Sequence, residues 1–486
     1  MSIARRKPSC APHSDLPHDQ RIFLRDPMAH GTVVAMRHRA PRRISVSRRR
    51  LRLALALILA VALSAGGLLL ITGPGASAEP ATPTSYPAGA AATRYTGLAF
   101  DTCTAPSSTT MRAWLDSPYR ALGVYIGGIN RGCDQPRLTA SWVSAVTKMR
   151  WRLIPIYMGR QAPCTTRPHS TLITPSLARS QGESAATDAV RRAKALGMIP
   201  GSAIYADMEH YDPNNSSCRT AALRFLSSWT KELHRRGYIA GVYVHLNSGA
   251  KHLAEVYTST SYARPDAIWI ARWDLSSSLS GWSGVANSRW AEHQRAKQYR
   301  GDHNERHGGV TLNIDNDRFD APVASVSYAY HVTGATRLNA RTGPSSSYSI
   351  VRSYANGATV KVVCQTTGSR VGGTPVWNKL SDGTYVPDRY VSTPSSTSYS
   401  APIPRCLYPY QVRSTDALNA RSGPGSSYAI KDRLPPGSLA WVVCQRAGAK
   451  VGTTSIWNRL PSGYWVSDYW VATPSNVGYS SPIRRC

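Results

Sequence analysis

The sequence predicts an α/β barrel followed by two small all-β units, and two observations carry this prediction. Short apolar segments alternate with helical segments over residues 95–322. Beyond residue 330 the chain repeats itself with an offset of 80 residues, and each copy is rich in Val, Tyr, Trp, Gly and Ser with almost no helical period. Alternating strands and helices are typical of a barrel of parallel strands, whereas the repeats have the character of strands and turns.

Residues 1–78 have the pattern of a signal peptide with an over-long basic N-terminal region. Four arginines between positions 48 and 52 precede the apolar run 53–71, and the Ala-Ser-Ala of 76–78 has the form of a signal-peptidase site. We expect cleavage after Ala78, a linker over 79–94, and no stable membrane insertion of the cleaved chain. An uncleaved membrane anchor is the alternative, because the 19 residues of the apolar run could just span a bilayer.

The net charge of the chain is +31, of which residues 1–78 contribute +10 and the remainder +21. A surplus of this size favours an anionic partner. The basic residues are scattered, and no helix-turn-helix, zinc-finger or RNA-binding signature accompanies them. We therefore expect a cell-surface polymer as the partner rather than a nucleic acid.

Eight cysteines lie beyond the predicted leader, and no Cys-x-x-Cys pair occurs among them. An even number without metal-type spacing predicts structural disulfides, which form outside the cytoplasm. We therefore expect a secreted protein. The cysteines are Cys103, Cys133, Cys164, Cys218, Cys364, Cys406, Cys444 and Cys486.

The barrel segment contains seven predicted strands and two clear helices. The helices are 183–196 and 219–236, each followed by a glycine that can end a helix, Gly197 and Gly237. The predicted strands are 96–101, 122–128, 152–158, 203–207, 240–244, 267–273 and 310–315.

Acidic residues follow the predicted strands repeatedly. Asp101 ends the first strand, Asp207 and Glu209 end the fourth, and Asp315 ends the last, with Asp317 two residues beyond. Functional groups of a parallel barrel lie at the C-terminal ends of its strands. Side chains at i and i+2 of a strand share a face, so Asp207 and Glu209 should project together. Paired carboxylates are what the cleavage of a glycosidic bond requires.

Aromatic and amide side chains at the same strand ends are candidate substrate contacts. Trp273 and Tyr205 offer flat faces to sugar rings, whereas Trp269, in mid-strand, is expected in the core. His210 and His245 lack the spacing of a metal site and are expected as hydrogen-bonding residues. The five expected substrate contacts are Trp273, Tyr205, Tyr157, Gln298 and Tyr299.

Several spaced motifs of the barrel segment resemble glycoside hydrolase family 25, the lysozyme-like muramidases, and more closely a secreted actinobacterial glycoside-hydrolase-like domain related to that family. The motifs are Gly-Leu-Ala-Phe-Asp (97–101), Ile-Tyr-Ala-Asp-Met-Glu (204–209), Ile-Trp-Ile-Ala-Arg-Trp (268–273), Lys-Gln-Tyr (297–299) and Asn-Ile-Asp-Asn-Asp-Arg-Phe (313–319). The resemblance implies an irregular, TIM-like barrel that acts on a cell-wall glycan without a metal or other cofactor.

The same resemblance implies roles for the acids. Glu209 takes the position of the general acid, Asp207 that of the charge-stabilising or substrate-assisting partner, and Asp101 and Asp315 those of flanking acids. We expect burial beside like charge to raise the pKa of the acid, and a neighbouring carboxylate, Asp207 or Asp315, to stay ionised. The chain departs from the muramidases directly after Asp101, where Thr102 replaces their serine.

Neighbouring strand ends are close in a barrel, which indicates the bridges Cys103–Cys133 and Cys164–Cys218 among the three possible connectivities. In the repeats, the equal spacings of Cys364 to Cys406 and of Cys444 to Cys486 indicate one bridge within each copy.

The two repeats, 330–406 and 410–486, resemble bacterial SH3 domains. The resemblance rests on Leu-Asn-Ala-Arg followed by x-Gly-Pro, which occurs at 338 and again at 418. It implies small all-β barrels that attach to peptidoglycan. Exposed contacts are expected from Tyr348, Tyr428, Trp465 and Trp470, and core positions from Trp377 and Trp457.

These observations predict a secreted hydrolase of peptidoglycan or another cell-wall glycan, held at the wall by tandem SH3-like modules. The intact Asp207–Glu209 pair favours this interpretation. The alternative is a non-catalytic wall-binding protein that has kept the barrel, which the altered sequence after Asp101 favours. A nucleic-acid binder would require strong salt-dependent retention on DNA.

Overall fold

The computed structural model describes residues 91–486. The predicted signal peptide, its cleavage site and residues 79–90 of the predicted linker lie outside the described residues. Within 91–486, none of the helices has the length and hydropathy that a membrane crossing requires. The described residues belong to one compact unit, so the barrel and the repeats can be described together.

The strands close into a barrel, as the sequence predicted, but they number eight and not the predicted seven. The strands are β1 (Thr93–Asp101), β2 (Ala121–Gly127), β3 (Arg152–Tyr157), β4 (Ala203–Met208), β5 (Ile239–His245), β6 (Ala267–Ala271), β7 (Arg295–His307) and β8 (Val310–Val323). Neighbouring strands from β1 to β7 are parallel. We call the end of the barrel at the C-terminal ends of these seven strands the mouth.

The last two strands correct the prediction of an all-parallel barrel. The β7 strand was not predicted, and β8 is longer than expected and antiparallel to both β7 and β1. The reason is the two-residue turn Gly308-Gly309, in which both residues have positive φ, 53° and 78°. Such a turn joins antiparallel strands directly and leaves no room for the crossover that a parallel pair needs.

Helices cover the outside of the barrel. They are α1 (Ser108–Ala113), α2 (Ala140–Lys148), α3 (Ala178–Ala195), α4 (Ser216–Arg235) and α5 (Lys251–Glu255). The two predicted helices correspond to α3 and α4. Gly197 and Gly237 follow them with φ of 79° and 84°, the left-handed conformation in which helices commonly end.

The apolar core has an inner and an outer part. The outer part lies between strands and helices and includes Trp229 and Tyr157. The inner part fills the barrel interior away from the mouth, where Tyr205, Trp269 and Phe319 pack edge to face with ring centroids 5.0–6.0 Å apart. The interior nearer the mouth is therefore left to polar side chains.

The chain beyond the barrel consists mainly of strands, as predicted. Repeat 1 contains β9 (Tyr328–His331), β10 (Arg337–Arg341), β11 (Ile350–Ala355), β12 (Thr359–Val371), β13 (Thr374–Leu380) and β14 (Tyr385–Pro387). Repeat 2 contains β15 (Tyr408–Gln411), β16 (Leu418–Arg421), β17 (Ile430–Leu434), β18 (Leu439–Val442), β19 (Cys444–Val451), β20 (Thr454–Arg459) and β21 (Trp465–Ser467).

The aromatic residues of the repeats divide between core and surface. Trp377 and Trp457 are buried, as expected. Trp465 is also buried, at 8% exposure, which corrects its assignment as a surface contact. The Arg459 guanidinium lies over its ring, 5.9 Å from the centroid, and contributes to this burial. Tyr348, Tyr428 and Trp470 are exposed.

All four predicted disulfides are present. Cys103–Cys133 joins the segments that follow β1 and β2, and Cys164–Cys218 joins the loop after β3 to the first turn of α4. The other two, Cys364–Cys406 and Cys444–Cys486, each close one repeat. The pairings predicted from neighbouring strand ends and from equal spacing in the repeats are confirmed.

Repeat 2 packs on the end of the barrel opposite the mouth. Leu439 and Trp441 belong to the same apolar cluster as the inner barrel core. The Leu439 amide donates a hydrogen bond to Oε1 of Gln294, at 3.2 Å. Arg264 donates to the carbonyl of Gly437, and Arg94 stacks over the Trp441 ring at 5.6 Å. The second repeat thus closes the base of the barrel.

Candidate active site

The antiparallel strand β8 brings two aspartates to the mouth from within the strand, and not from its C-terminal end as predicted. Asp315 pairs with Asp101 across β1 and β8, and Asp317 pairs with Gln298 across β7 and β8. Asp315 therefore lies inside a strand and not at a C-terminal strand end, which corrects the expected position. It still reaches the mouth because β8 runs toward the base while its neighbours run toward the mouth.

Gln298 connects the acids at the centre of the mouth. Its Nε2 donates to Oδ2 of Asp101 at 2.8 Å and to Oδ2 of Asp315 at 3.2 Å. Its Oε1 accepts from the Tyr243 hydroxyl and from Nε1 of Trp273, both at 2.9 Å. Both donors and both acceptor positions of the amide are therefore used, which fixes its orientation and those of the two carboxylates.

Asp317 is a fully buried member of the cluster to which the sequence analysis gave no role. Its Oδ1 accepts from Nε1 of Trp269 at 3.0 Å, and its Oδ2 is buried and makes no hydrogen bond within residues 91–486. Burial, followed by the charges of Asp101 and Asp315, raises the pKa of Asp317 well above its ordinary value. A desolvated carboxyl beside like charges favours its protonated form.

Asp101 has a similar environment. It is 3% exposed. Burial raises its pKa well above the ordinary value, and the negative charges of Asp315 and Glu209 raise it further, while the hydrogen bond from Gln298 acts in the opposite direction. Asp101 therefore senses the charge of Glu209 across the barrel interior, which places the two predicted acids in one electrostatic site.

Asp207 lies deeper than its partner Glu209. Burial and then the charge of Glu209 raise its pKa well above the ordinary value, while Arg167 lowers it. Its Oδ1 is buried and makes no hydrogen bond within residues 91–486. Of the two candidates for the carboxylate that stays ionised, Asp207 or Asp315, this environment disfavours Asp207, because a desolvated carboxyl beside a like charge favours its protonated form.

Glu209 reaches the mouth with 17% of its side chain exposed, and Nη1 of Arg167 lies 3.2 Å from its Oε1. The Glu209 amide donates to Oε1 of Gln161 at 2.8 Å, and Nε2 of Gln161 donates to the carbonyl of Asp207 at 2.9 Å. This amide side chain, from the loop after β3, holds the end of β4 in place.

The loop that carries Arg167 is itself tied to β4. The disulfide Cys164–Cys218 begins the attachment, and the Thr165 hydroxyl donates to the carbonyl of His210 at 2.8 Å. Arg167 was not predicted, because a loop residue has no periodic position. Its only sequence signal is its place three residues after a cysteine predicted to be bridged to the neighbouring strand end.

Trp273 is placed as expected, since 42% of it is exposed and its Nε1 donates to Gln298. The ring lies against Gly301, where an added Cβ would come within 2.2 Å of it. A flat ring held by its own N–H and by a glycine can present a face to a sugar.

Two of the expected aromatic contacts are wrong. Tyr205 is fully buried in the inner core, and its hydroxyl donates to the carbonyl of Pro322 at 2.7 Å. It precedes Asp207 by two residues, so it occupies the same face one layer deeper. Tyr157 points to the helices, where its hydroxyl donates to Asp188 of α3 at 3.0 Å. Its neighbour Ile156 takes the inward position.

Tyr299 is half-buried beside a register shift of β7 between Gln298 and Arg300. Its carbonyl accepts from the amide of Leu275 at 3.0 Å. The hydrogen bonds at the centre of the mouth come from Gln298 instead.

Two histidines complete the mouth. The rings of His210 and His245 meet edge to face, with centroids 4.9 Å apart. Burial and then His210 lower the pKa of His245 to about 4, so this imidazole is neutral at neutral pH. Its Nδ1 accepts from the amide of Asn247 at 3.2 Å, which leaves the proton on Nε2. Within residues 91–486, no cluster of His, Cys, Asp or Glu has the arrangement of a metal site.

Comparisons with known proteins agree with a hydrolase-like barrel. Residues 112–319 match the Rv2525c-like, glycoside hydrolase-like domain family. A segment of 84 residues is 32% identical to the uncharacterized protein YraI of Bacillus subtilis (strain 168) and covers 16% of this chain and 71% of YraI.

Similar solved structures share little sequence with this chain. The Tat-secreted protein Rv2525c of Mycobacterium tuberculosis is 15% identical, with 46% of this chain and 96% of that chain covered and a TM-score of 0.34. An uncharacterized protein of B. stearothermophilus is 17% identical, with 46% and 99% covered and a TM-score of 0.32. The autolysin LytC of Streptococcus pneumoniae is 11% identical, with 46% of each chain covered and a TM-score of 0.29.

Proposed function

We propose that this chain hydrolyses a glycosidic bond of peptidoglycan. It shares a family with YraI over 84 residues and carries an Rv2525c-like, glycoside hydrolase-like domain over residues 112–319. The observation that carries the proposal is a set of carboxyls in two environments at one end of the barrel. Asp207 and Asp317 are buried, whereas Glu209 and Asp315 are only partly buried. Glycoside cleavage needs a carboxylic acid and a carboxylate in one site.

In this proposal Glu209 protonates the leaving oxygen, because it is the acid of the β4 pair that reaches solvent. Asp207 lies deeper than Glu209, and burial followed by the charge of Glu209 raises its pKa well above the ordinary value. Its environment therefore favours the neutral carboxyl more than that of an exposed aspartate does. A proton donor of this kind contributes roughly 10²–10⁴-fold to the rate.

Asp315 provides the carboxylate that glycoside cleavage needs beside the acid. Gln298 orients it together with Asp101, so that a negative oxygen stands near the positive charge that develops on the sugar. Trp273 lies beside the same glutamine and offers the sugar a flat apolar face. The residues of this chain thus supply an acid, a charged partner and a platform.

We further propose that the protein is exported by its predicted leader and that the two repeats are SH3-like modules that attach it to the wall. The disulfides support export, because such bonds persist in oxidising compartments. Tyr348 and Tyr428, exposed at equivalent positions, support a binding role for both copies.

The release of reducing sugar ends from purified Gram-positive cell walls tests the proposed hydrolysis. We expect release by residues 79–486 and a loss of at least roughly 100-fold in Glu209→Gln, because the amide cannot donate the catalytic proton. The matched control is Glu255→Gln, in which an exposed glutamate on α5 that pairs with Arg219 is changed in the same way. Both variants should still sediment with walls.

The non-catalytic alternative has one observation in its favour. Arg167 forms an ion pair with Glu209, so a substrate would have to displace the guanidinium or bind beside it. If the unmodified protein sediments with walls but releases no reducing ends, the proposed hydrolysis is overturned and a wall-binding protein remains. Equal release by the unmodified protein and Glu209→Gln would instead remove Glu209 from the mechanism.

A further inference from the structure

The repeats carry an excess of positive charge that the proposed hydrolysis does not explain. Residues 330–486 contain 17 Lys and Arg, five Asp and no Glu, a net charge of +12. Two of the five acids, Asp388 and Asp468, are fully buried. The surface of this part of the chain is therefore almost free of negative charge.

Part of this charge collects where the two repeats meet. The hydroxyls of Tyr385 and Tyr408 are hydrogen-bonded at 2.9 Å, and the Tyr385 hydroxyl lies 3.5 Å from the carbonyl of Pro482. The end of repeat 2 thus lies against repeat 1. Three arginines gather at this junction, and we call them the arginine seam. They are Arg405, Arg459 and Arg484.

Arg484 is the central member of the seam. It is half-buried, and its Nε is buried and makes no hydrogen bond within residues 91–486. Its Nη1 donates to the carbonyl of Arg485 at 3.1 Å. Burial lowers its pKa, and the positive charges of Arg405 and Arg459 lower it further, while Tyr399 acts in the opposite direction. An unsatisfied buried donor among like charges is a costly arrangement without an anion.

Arg405 is held in place beside it. Its guanidinium lies over the ring of Tyr399, 3.3 Å from the centroid. The Tyr399 hydroxyl is hydrogen-bonded to Oγ1 of Thr367 at 2.5 Å. Cys406, which follows Arg405 in the chain, forms a disulfide with Cys364. In residues 91–486, no carboxylate forms a salt bridge with Arg405. Stacking covers one face of a guanidinium and leaves the N–H groups at its edge for a ligand.

We propose that the arginine seam binds the oxyanions of an anionic cell-wall polymer, which carries phosphodiester or carboxylate groups along its length. Planar guanidiniums match both groups through paired hydrogen bonds. A polymer is favoured over a small anion because residues 330–486 carry a net charge of +12 over two tandem repeats, more than one small anion would neutralise. The inference deepens the proposed wall attachment by naming its ligand class, and it is independent of glycan cleavage.

Binding of residues 79–486 to immobilised poly(glycerol phosphate), polyglutamate and duplex DNA over a range of salt concentrations tests the proposal. In Arg405→Gln with Arg484→Gln, we expect affinity for the favoured wall-type polymer to fall by roughly tenfold, with a shallower salt dependence. The matched control is Arg370→Gln with Lys450→Gln, which removes the same charge from exposed, equivalent positions of the two repeats. It should weaken binding by less than about threefold.

Two further variants distinguish a specific binding site from non-specific electrostatic attraction. Arg405→Gln alone changes only an exposed residue, so it keeps the test valid if the double variant does not fold. Tyr399→Leu keeps the net charge but removes the ring beneath Arg405, and it should also weaken binding. Equal weakening by the seam variant and the control would overturn the proposal in favour of non-specific charge.

The polymers distinguish the sources of the oxyanion. Preference for poly(glycerol phosphate) assigns phosphodiesters, and preference for polyglutamate assigns carboxylates, and both outcomes support the seam. Tighter binding to DNA than to either polymer, lost in the seam variant, would overturn the assignment to the cell wall. Glu209→Gln should bind the polymer normally, so a failure of hydrolysis and a failure of the seam are seen separately.

Discussion

Replacing Trp441 with alanine should lower the free energy of unfolding by about 3–5 kcal/mol, the usual cost of removing a large buried aromatic side chain. Trp441 belongs to repeat 2, yet it is 3% exposed and lies in the apolar cluster of the barrel interior. Its removal would open a cavity at the base of the barrel. Urea unfolding followed by fluorescence and circular dichroism measures the loss.

Two variants control this result. Trp441→Phe should cost less than about 1.5 kcal/mol, because it preserves most of the volume and because Nε1 of Trp441 is buried without a hydrogen bond in residues 91–486. Lys361→Ala changes the equivalent, exposed position of repeat 1 and should stay within about 0.5 kcal/mol. If Trp441→Ala and Lys361→Ala cost the same, repeat 2 does not contribute to the stability of the barrel.

The pair Lys361 and Trp441 also shows what an internal repeat can reveal. The two copies align without a gap, and at this position one has a lysine where the other has a tryptophan. Such a difference indicates that the same surface faces water in one copy and another part of the chain in the other. The residues that the two copies share do not distinguish their surroundings. The packing of repeat 2 on the barrel was therefore not predicted.

The barrel could be predicted because most of its strands are apolar on both faces. The exception, β7, has Arg295, Lys297 and Gln298 buried within it, and these polar residues hid the strand from an apolar pattern. The arginine is satisfied by carbonyls of the preceding loop, and the lysine by Asp274 and Ser276. Such contacts are tertiary and leave no periodic trace. The glycine pair 308–309 was the available local sign of a hairpin.

The candidate site was predicted in part by the two-residue period of a strand. That period placed Asp207 and Glu209 on one face, where the structure has them. The same period applied to Tyr205 puts it one layer below Asp207, away from any substrate. Depth along a barrel was therefore available from the sequence. The contacts of Gln298 and Arg167 were not, because each depends on which distant side chain lies opposite.

The buried acids should give the protein an unusual dependence of stability on pH, which Asp317→Asn should weaken. Burial, then Asp101 and Asp315, raises the pKa of Asp317 well above the ordinary value of 3.8. Between that value and the raised pKa, the folded state binds a proton that the unfolded state has released. Stability must then fall as pH rises through this window. The variant removes this loss, so its melting temperature should exceed that of the unmodified protein at pH 8 by several °C and by little at pH 4.

The amide suits the site, because its oxygen can still accept from Nε1 of Trp269 and its nitrogen can donate to Asp101. The matched control is Asp382→Asn in repeat 1. Burial opposes ionisation of Asp382, but hydrogen bonds from Thr384 and Tyr354 hold its pKa below the ordinary value. Its contribution is therefore present above that value and lost as pH falls, so Asp382→Asn should destabilise the protein at pH 8. Melting curves from pH 4 to pH 8 should show opposite signs for the two variants. The same sign for both would mean that Asp317 holds no extra proton in the folded protein.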